Sequence, residues 1–219
     1  MSDKKRKKRA GWKVWLFTGL LLLAAALVLV LYNVWESDQA GKRSSKVLSA
    51  LEEQIPDPPD ASNDGAGDIS QKDSSGDSLL EDRQMPTIEI DGYRYIGYLE
   101  CASAGLKLPV MEEWDYKRLK VAPCRYTGSV YKNNLVIAGH NYARHFSPLR
   151  WQKPGTEIDF TDAEGVRYTY QISDIEVLPP TDIRDMIKDS SDWDLTLFTC
   201  TIGGQARYTI RCVRTDTEK

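Results

Sequence analysis

Hydrophobic and polar residues follow a different pattern in each of three successive parts of the chain. The first is an apolar run of eighteen uncharged residues over 14–31, which uncharged residues extend to 34. A helix over 14–34 would rise about 31 Å, close to the hydrocarbon thickness of a bilayer. Aromatic side chains, which favour the membrane interface, flank the run: Trp12, Trp15, Tyr32 and Trp35. The pattern predicts one transmembrane helix over 14–34.

A cleavable signal peptide is the alternative interpretation of this run. Its apolar region would span about 7–15 residues and would precede small residues at a cleavage site. The run here is longer, and the residues that follow it, YNVWESDQ, make a poor cleavage site. An uncleaved membrane anchor is therefore the favoured interpretation.

The second part, residues 35–85, has few side chains that a folded core could bury. Much of it, IPDPPDASNDGAGDISQKDSSGDS, is rich in Asp, Ser, Gly and Pro. Such a segment cannot offset the entropy lost on ordering. The stretch KVLSALEEQI has the pattern of a brief amphipathic helix, to which the sequence assigns no role. The composition predicts a flexible extracellular spacer over 35–85.

The third part, residues 86–219, alternates apolar and polar positions in short β-rich runs. Asp-Gly, Lys-Asn-Asn and Asp-Ala-Glu-Gly mark turns, GSVY and LVIAGH are read as separate strands, and Pro109 interrupts LKLPVM. About eight strands at regular spacing are typical of a closed barrel or a sandwich. Short helical interruptions are predicted around 114–119, 147–152 and 182–188.

Charge is distributed unevenly between the tip of the chain and the rest. Residues 1–13 contain seven basic residues and one acidic residue, Asp3, so they carry +6; with −3 for the whole chain, the rest carries −9. By the positive-inside rule, the basic tip 1–13 is expected in the cytoplasm and the C-terminal domain outside the cell. The domain has no basic patch that would predict binding to nucleic acid.

Four cysteines and two histidines are the candidates for chemistry. If the last two strands form a hairpin around TIGGQA, Cys200 lies opposite Arg207 and Cys212 lies five residues further along. The two cysteines would then be roughly 16 Å apart, beyond the roughly 7 Å Cα limit for a disulfide. Cys212 is expected to be a small buried residue. Whether Cys101 and Cys124 are paired stays open.

The hairpin register also has a chemical consequence. Residues opposite each other across two strands share a face, so Cys200 and Arg207 would project together. A cation near a thiol favours the nucleophilic thiolate, although a surface arginine beside a buried cysteine is the alternative. His140, at the end of the apolar strand LVIAGH, completes the pair that thiol catalysis needs, whereas His145 is expected on the surface. The spacing of these residues predicts no metal site and no cofactor.

Three of these features together resemble a sortase: the run TLFTC, an arginine seven residues after its cysteine, and an upstream strand that ends in AGH. Sortases are membrane-anchored cysteine transpeptidases, mainly of Gram-positive bacteria. The resemblance covers about 87–215. It implies a mainly β fold, an eight-stranded β-barrel with a few short helices, and a catalytic domain over 86–219 behind the N-terminal transmembrane helix.

The resemblance also implies a role for each of three residues. Cys200 matches the nucleophile, His140 the histidine that acts as general acid and then base, and Arg207 the arginine that binds substrate and steadies the oxyanion. Such an enzyme cleaves a C-terminal LPXTG-like sorting signal of secreted surface proteins and forms a thioacyl enzyme. It then passes the acyl group to an amine of a peptidoglycan precursor or a pilin lysine.

Two alternative functions remain open on the sequence. One is a thiol peptidase or hydrolase that uses the same Cys-His pair with water as the acceptor. The other is a non-enzymatic, membrane-tethered binding domain. The sorting motif, the acceptor and the sortase subclass also stay open.

Overall fold

The computed structural model describes residues 7–56, 83–188 and 190–216. Its helices are α1 (Lys7–Gln54), α2 (Tyr116–Leu119) and α3 (Ile183–Met186), with 3₁₀ turns at Ala102–Ala104, Val130–Lys132 and Ser147–Trp151. The strands are β1 (Ile88–Ile90), β2 (Tyr93–Cys101), β3 (Leu106–Met111), β4 (Cys124–Thr127), β5 (Leu135–Gly139), β6 (Glu157–Asp162), β7 (Arg167–Leu178), β8 (Leu195–Cys200) and β9 (Arg207–Arg214).

Eight of these strands close into a barrel. They pair in the order β2-β3-β4-β5-β8-β9-β7-β6, and β6 pairs back with β2. The short β1 is an additional strand that pairs with the start of β2. Two pairings are parallel, β3 with β4 and β5 with β8. The predicted mainly β fold, an eight-stranded barrel with a few short helices behind a long apolar N-terminal helix, is confirmed.

Local turn chemistry explains several of these elements. Asp91 and Gly92, with φ of 52° and 78°, form the tight turn between β1 and β2, as expected for Asp-Gly in a hairpin. The three predicted helical interruptions are confirmed as α2, the turn Ser147–Trp151, and α3. GSVY is not a strand, because the Ser129 side chain accepts a hydrogen bond from the Tyr131 amide and starts a 3₁₀ turn.

Pro109 does not interrupt β3, contrary to the prediction. It lies inside the strand opposite Tyr98 of β2. On its other side, β3 pairs with β4 only at Met111. The missing N–H of Pro109 therefore removes no bond to β4.

Alternate residues of the strands fill the barrel interior. Leu195 and Leu197 of β8 meet Ile210 and Cys212 of β9 in this core. Cys212 is fully buried, and burial raises the pKa of its thiol. The prediction of a small buried residue is therefore confirmed. All four cysteines are free, so Cys101 and Cys124 do not form a disulfide.

The first part of α1 is apolar and exposed. Every residue from 12 to 35 has an exposed side chain. The helix is long enough and apolar enough to cross a membrane. An N-terminal helix of this kind suggests a membrane anchor.

The second part of α1 differs from the predicted spacer. From Ala40 onward the helix belongs to the same compact unit as the barrel. Val47, Leu51 and Ile55, spaced four residues apart, form one buried stripe. The stripe packs in a second core with Ile90, Tyr95, Met111, Ala122 and Cys124. Residues 40–55 are therefore a packed part of the folded domain.

Candidate active site

The parallel pairing of β5 with β8 brings a histidine and a cysteine to the same level. Gly139, the last residue of β5, is paired with Thr199 of β8. His140 and Cys200 are the next residues on the two strands. Neighbouring strands lie about 4.8 Å apart. His140 and Cys200, sixty positions apart in the sequence, thus follow paired residues on adjacent strands.

The antiparallel pairing of β8 with β9 adds the arginine. Cys200 is paired with Arg207, as the hairpin register predicted, and Cys212 with Leu195. Because side chains alternate along a strand, Cys200 points away from the core that Leu195 enters. Cys200 is half-buried on the outer face of the barrel.

Arg207 is held by its own loop and remains partly accessible. Its Nη1 donates to the carbonyl oxygens of Gly204 and Ala206, each at 3.0 Å. Within the described ranges, its Nε and Nη2 make no hydrogen bond and no ion pair. The loop between Cys200 and Arg207 turns at Gly203 and Gly204, whose φ values of 87° and 75° suit glycine. The guanidinium therefore keeps donors that a ligand could use.

Cys200 and Arg207 line a groove of about 170 Å³ on the outer face of the barrel. One wall is an aromatic row in which Tyr126 lies 5.2 Å from Trp114 and 5.4 Å from Phe198, between ring centroids. The opposite wall comes from the connection between β7 and β8: Pro180, Ile183, Met186 and Ile187. The thiol thus opens into an apolar groove with a cation beside it.

The second wall is fixed by a buried arginine of β9. Arg211 donates to the Met186 carbonyl at 3.1 Å and to the Asp185 carbonyl, and so holds the end of α3. It also donates to Thr196 Oγ1 and to Glu176 Oε1, each at 3.0 Å. Only 2% of Arg211 is exposed. Its role is to attach the groove wall to the barrel.

Sequence reasoning missed two residues that follow the histidine. Asn141 Nδ2 donates to the Thr201 carbonyl at 3.3 Å and joins the loops that carry His140 and Cys200. The Tyr142 ring stacks on the His140 ring with 4.0 Å between centroids and 2° between planes. Both residues stand in the sequence directly after AGH, but only the loop conformation shows their contacts.

His145 is fully buried, and the expectation that it lies on the surface is wrong. Burial, and to a lesser degree the nearby His140, lower the pKa of His145 to about 4. The backbone of Ala40, in the packed part of α1, lies near its ring. Since α1 covers this loop, the imidazole is excluded from solvent and is neutral at pH 7.

Comparison with known proteins identifies the class of protein that this fold and groove represent. The model of the sortase domain matches residues 99–215. The chain therefore belongs to the sortase family, whose members are cysteine transpeptidases. No curated protein sequence matches the chain.

Solved sortase structures share the fold. A sortase D5 transpeptidase of Clostridium perfringens is 21% identical, with 80% of this chain and 99% of that one covered and a TM-score of 0.56. Sortase A of Corynebacterium diphtheriae is 19% identical, with coverages of 83% and 85% and a TM-score of 0.52. Sortase C1 of Streptococcus agalactiae is 24% identical, with coverages of 68% and 80% and a TM-score of 0.50.

Proposed function

We propose that this sortase cleaves an LPXTG-like sorting signal of secreted proteins through a thioacyl enzyme at Cys200 and transfers the acyl group to an amine. The supporting observation is the pair of strand registers. Cys200 of β8 is paired with Arg207 of β9. His140 directly follows β5 at the level of Cys200. Cys200 and Arg207 supply a nucleophile and a cation in the groove, and His140, which follows the groove residue Gly139, supplies a proton carrier.

Acylation uses His140 as the acid. The Cys200 thiolate attacks the carbonyl carbon of the substrate threonine, and a C–S bond forms. Donors of Arg207 stabilise the negative oxygen of the tetrahedral intermediate. The C–N bond to glycine then breaks, and the His140 imidazolium gives its proton to the departing amine. The products are a thioester on Cys200, neutral His140 and a free glycine N-terminus.

Deacylation runs through the same groups in the reverse sense. An acceptor amine attacks the thioester carbonyl, and neutral His140 takes the proton that the amine loses. The C–S bond breaks as the new amide forms, which restores the thiolate and the imidazolium. The acceptor is the amine of a peptidoglycan precursor or of a pilin lysine.

The groove suits the apolar end of such a signal. Its walls are the aromatic row and the residues around α3, so leucine and proline of the signal would lose water there favourably. A peptide that lies along the groove reaches Cys200 and Arg207, which line the same groove. The scissile carbonyl would then lie beside the thiol.

The membrane arrangement is part of the proposal. Residues 14–34 span the cell membrane once, with the basic tip 1–13 in the cytoplasm, as the positive-inside rule favours. The spacer lies within 35–85, of which 57–82 fall outside the described residues. The catalytic domain 86–219 then meets secreted substrates and cell-wall amines outside the cell.

The test is product analysis with the full chain in detergent micelles. A fluorescent LPXTG-like peptide is added with and without an amine, and the enzyme is examined by mass spectrometry. We expect an acyl adduct on Cys200, an amine-dependent product, and loss of both in Cys200→Ala. Cys124→Ala, which removes a buried cysteine of the second core, is the matched control and keeps both.

Two outcomes would contradict the proposal. Release of peptide at the full rate without amine would indicate a thiol hydrolase. If the wild type formed no acyl adduct and Cys200→Ala kept the biological function of the protein, the result would indicate a membrane-tethered binding domain.

A further inference from the structure

Residues 40–55, the packed part of α1 and the residue after it, present one continuous buried face, and we refer to these residues as the juxtamembrane segment. The face repeats every three or four residues, as a docked helix requires. Its buried members are Ala40, Gly41, Ser44, Val47, Leu51 and Ile55. The C-terminal half of this face packs in the second core, whereas the N-terminal half contacts the loop that follows His140.

Close approach at Gly41 joins the juxtamembrane segment to that loop. A Cβ atom placed on Gly41 would lie 2.5 Å from Arg144 Cδ and 2.9 Å from Arg144 Cβ. Glycine is therefore the residue that allows the helix to lie against Arg144. One residue earlier, the Ala40 backbone lies near the buried ring of His145, whose two nitrogens have no hydrogen-bond partner among the described residues.

Aromatic contacts continue from this point to the active site. The ring centroids of His145 and Tyr142 are 5.6 Å apart, with the planes tilted by 56°. Tyr142 in turn stacks face to face on His140 at 4.0 Å. The loop between the helix and His140 is thus packed on both sides.

We propose that the juxtamembrane segment positions His140 for catalysis through this chain of contacts, with Tyr142 as the positioning residue. This inference rests on the proposed function, because it assigns His140 the proton transfers described above. The stack restricts the plane of the imidazole, and the helix prevents the loop from retreating. A misplacement of about 1 Å at a reacting group can cost about 100-fold in rate.

The first test displaces the helix without weakening it. Alanine favours a helix interior by about 1 kcal/mol relative to glycine, so lost activity in Gly41→Ala would not reflect a weaker helix. In the full chain, we expect kcat to fall roughly tenfold, with KM and the melting temperature unchanged. Gly19→Ala makes the same substitution in the same helix where a Cβ meets no described atom within 4 Å, and it should match the wild type.

The second test changes the stack itself. Tyr142→Leu removes the flat ring, and we expect kcat to fall about 10- to 100-fold with KM unchanged. Tyr142→Phe keeps the ring and should recover most of that loss. A merely structural role would lower the melting temperature together with kcat, so both quantities are measured for every variant.

The outcomes separate the inference from the function on which it rests. Wild-type kcat in both Gly41→Ala and Tyr142→Leu, with an acyl adduct still formed on Cys200, would overturn the inference alone. Equal losses in Tyr142→Phe and Tyr142→Leu would also overturn it. Absence of the adduct in the wild type would instead reject the proposed function.

Discussion

Two arginines on the same face of β9 have opposite surroundings. Arg207 begins the strand beside the groove, half-exposed, and its Nη1 bonds two carbonyls of its own loop. Arg211, four residues further, is 2% exposed and bonds side chains and carbonyls of three other segments. Its guanidinium also lies 4.3 Å from the Trp193 ring centroid. Position along the strand, not residue type, decides which arginine a substrate can reach.

The two histidines repeat this contrast on the neighbouring loop. His140, at the end of β5, is half-buried, whereas His145 is fully buried under α1. In both pairs, the residue at the open ends of β5, β8 and β9 is partly exposed, and its counterpart is buried. The comparison predicts that activity and stability will respond to different members of each pair.

The largest effect on activity is expected for the exposed arginine. Arg207→Ala should lower kcat about 100- to 1,000-fold, the range for loss of one donor to an oxyanion. Its melting temperature should stay at the wild-type value, because the lost contacts are confined to one loop. Arg94→Ala, at an exposed arginine remote from β9, is the control for peptide turnover. Turnover within a fewfold of the wild type in Arg207→Ala would show that its donors do not reach the substrate.

Replacement of the buried arginine should lower the stability of the domain. Arg211→Met removes the donors to Asp185, Met186, Thr196 and Glu176, and should cost about 3 kcal/mol. For a domain of this size, the melting temperature should fall by about 10 °C in a calorimetric scan. Arg211→Lys should recover little, because an ammonium cannot reproduce the planar fork of donors. Activity loss in Arg211→Met at unchanged melting temperature would erase the distinction between the two arginines.

The buried histidine should make stability depend on pH. Its pKa is about 4 in the folded state and about 6.5 when unfolded, so between these values the unfolded chain binds more protons. Stability then rises with pH, and His145 should cost about 2 kcal/mol on going from pH 7 to pH 5. Urea unfolding at both pH values should show that cost in the wild type and its absence in His145→Leu. The same pH dependence in both proteins would mean that His145 is not buried as a neutral ring.

The smallest effect is expected at the link between the loops that follow His140 and Cys200. Asn141→Ala removes one neutral hydrogen bond, worth about 1 kcal/mol, so kcat should fall about fivefold. Single-turnover acylation of Cys200 would measure this change without interference from product release. A loss as large as that of Arg207→Ala would indicate that Asn141 itself contacts the substrate.

The β8–β9 half of the site could be predicted from sequence because it is local. A short loop between two alternating strands fixes the register, so the neighbourhood of Cys200 and Arg207 follows from counting residues. The pairing of β8 with its parallel neighbour β5 could not be derived by counting residues. A crossover of more than fifty residues separates β5 from β8, and only the TLFTC and AGH motifs together indicated that His140 and Cys200 are neighbours.

The burial of His145 and of the packed part of α1 depends on surfaces that are distant in sequence. Val47, Leu51 and Ile55 show the period of an amphipathic helix, but their partners lie on strands and loops beyond residue 88. A polar, proline-rich neighbourhood favoured the interpretation as spacer. His145 looked exposed because its own loop is polar, and the helix that covers it begins more than a hundred positions earlier in the chain.

The parallel pairing of β5 with β8 has an evolutionary consequence. The chain between those strands contributes Pro180, Ile183 and Ile187 to one wall of the groove, while Cys200 and Arg207 lie at the ends of β8 and β9. Selection, or a protein engineer, could therefore replace this wall of the groove to suit a new peptide and leave the strand ends unchanged. Under the proposed function, recognition and bond making are therefore carried by separable stretches of polypeptide.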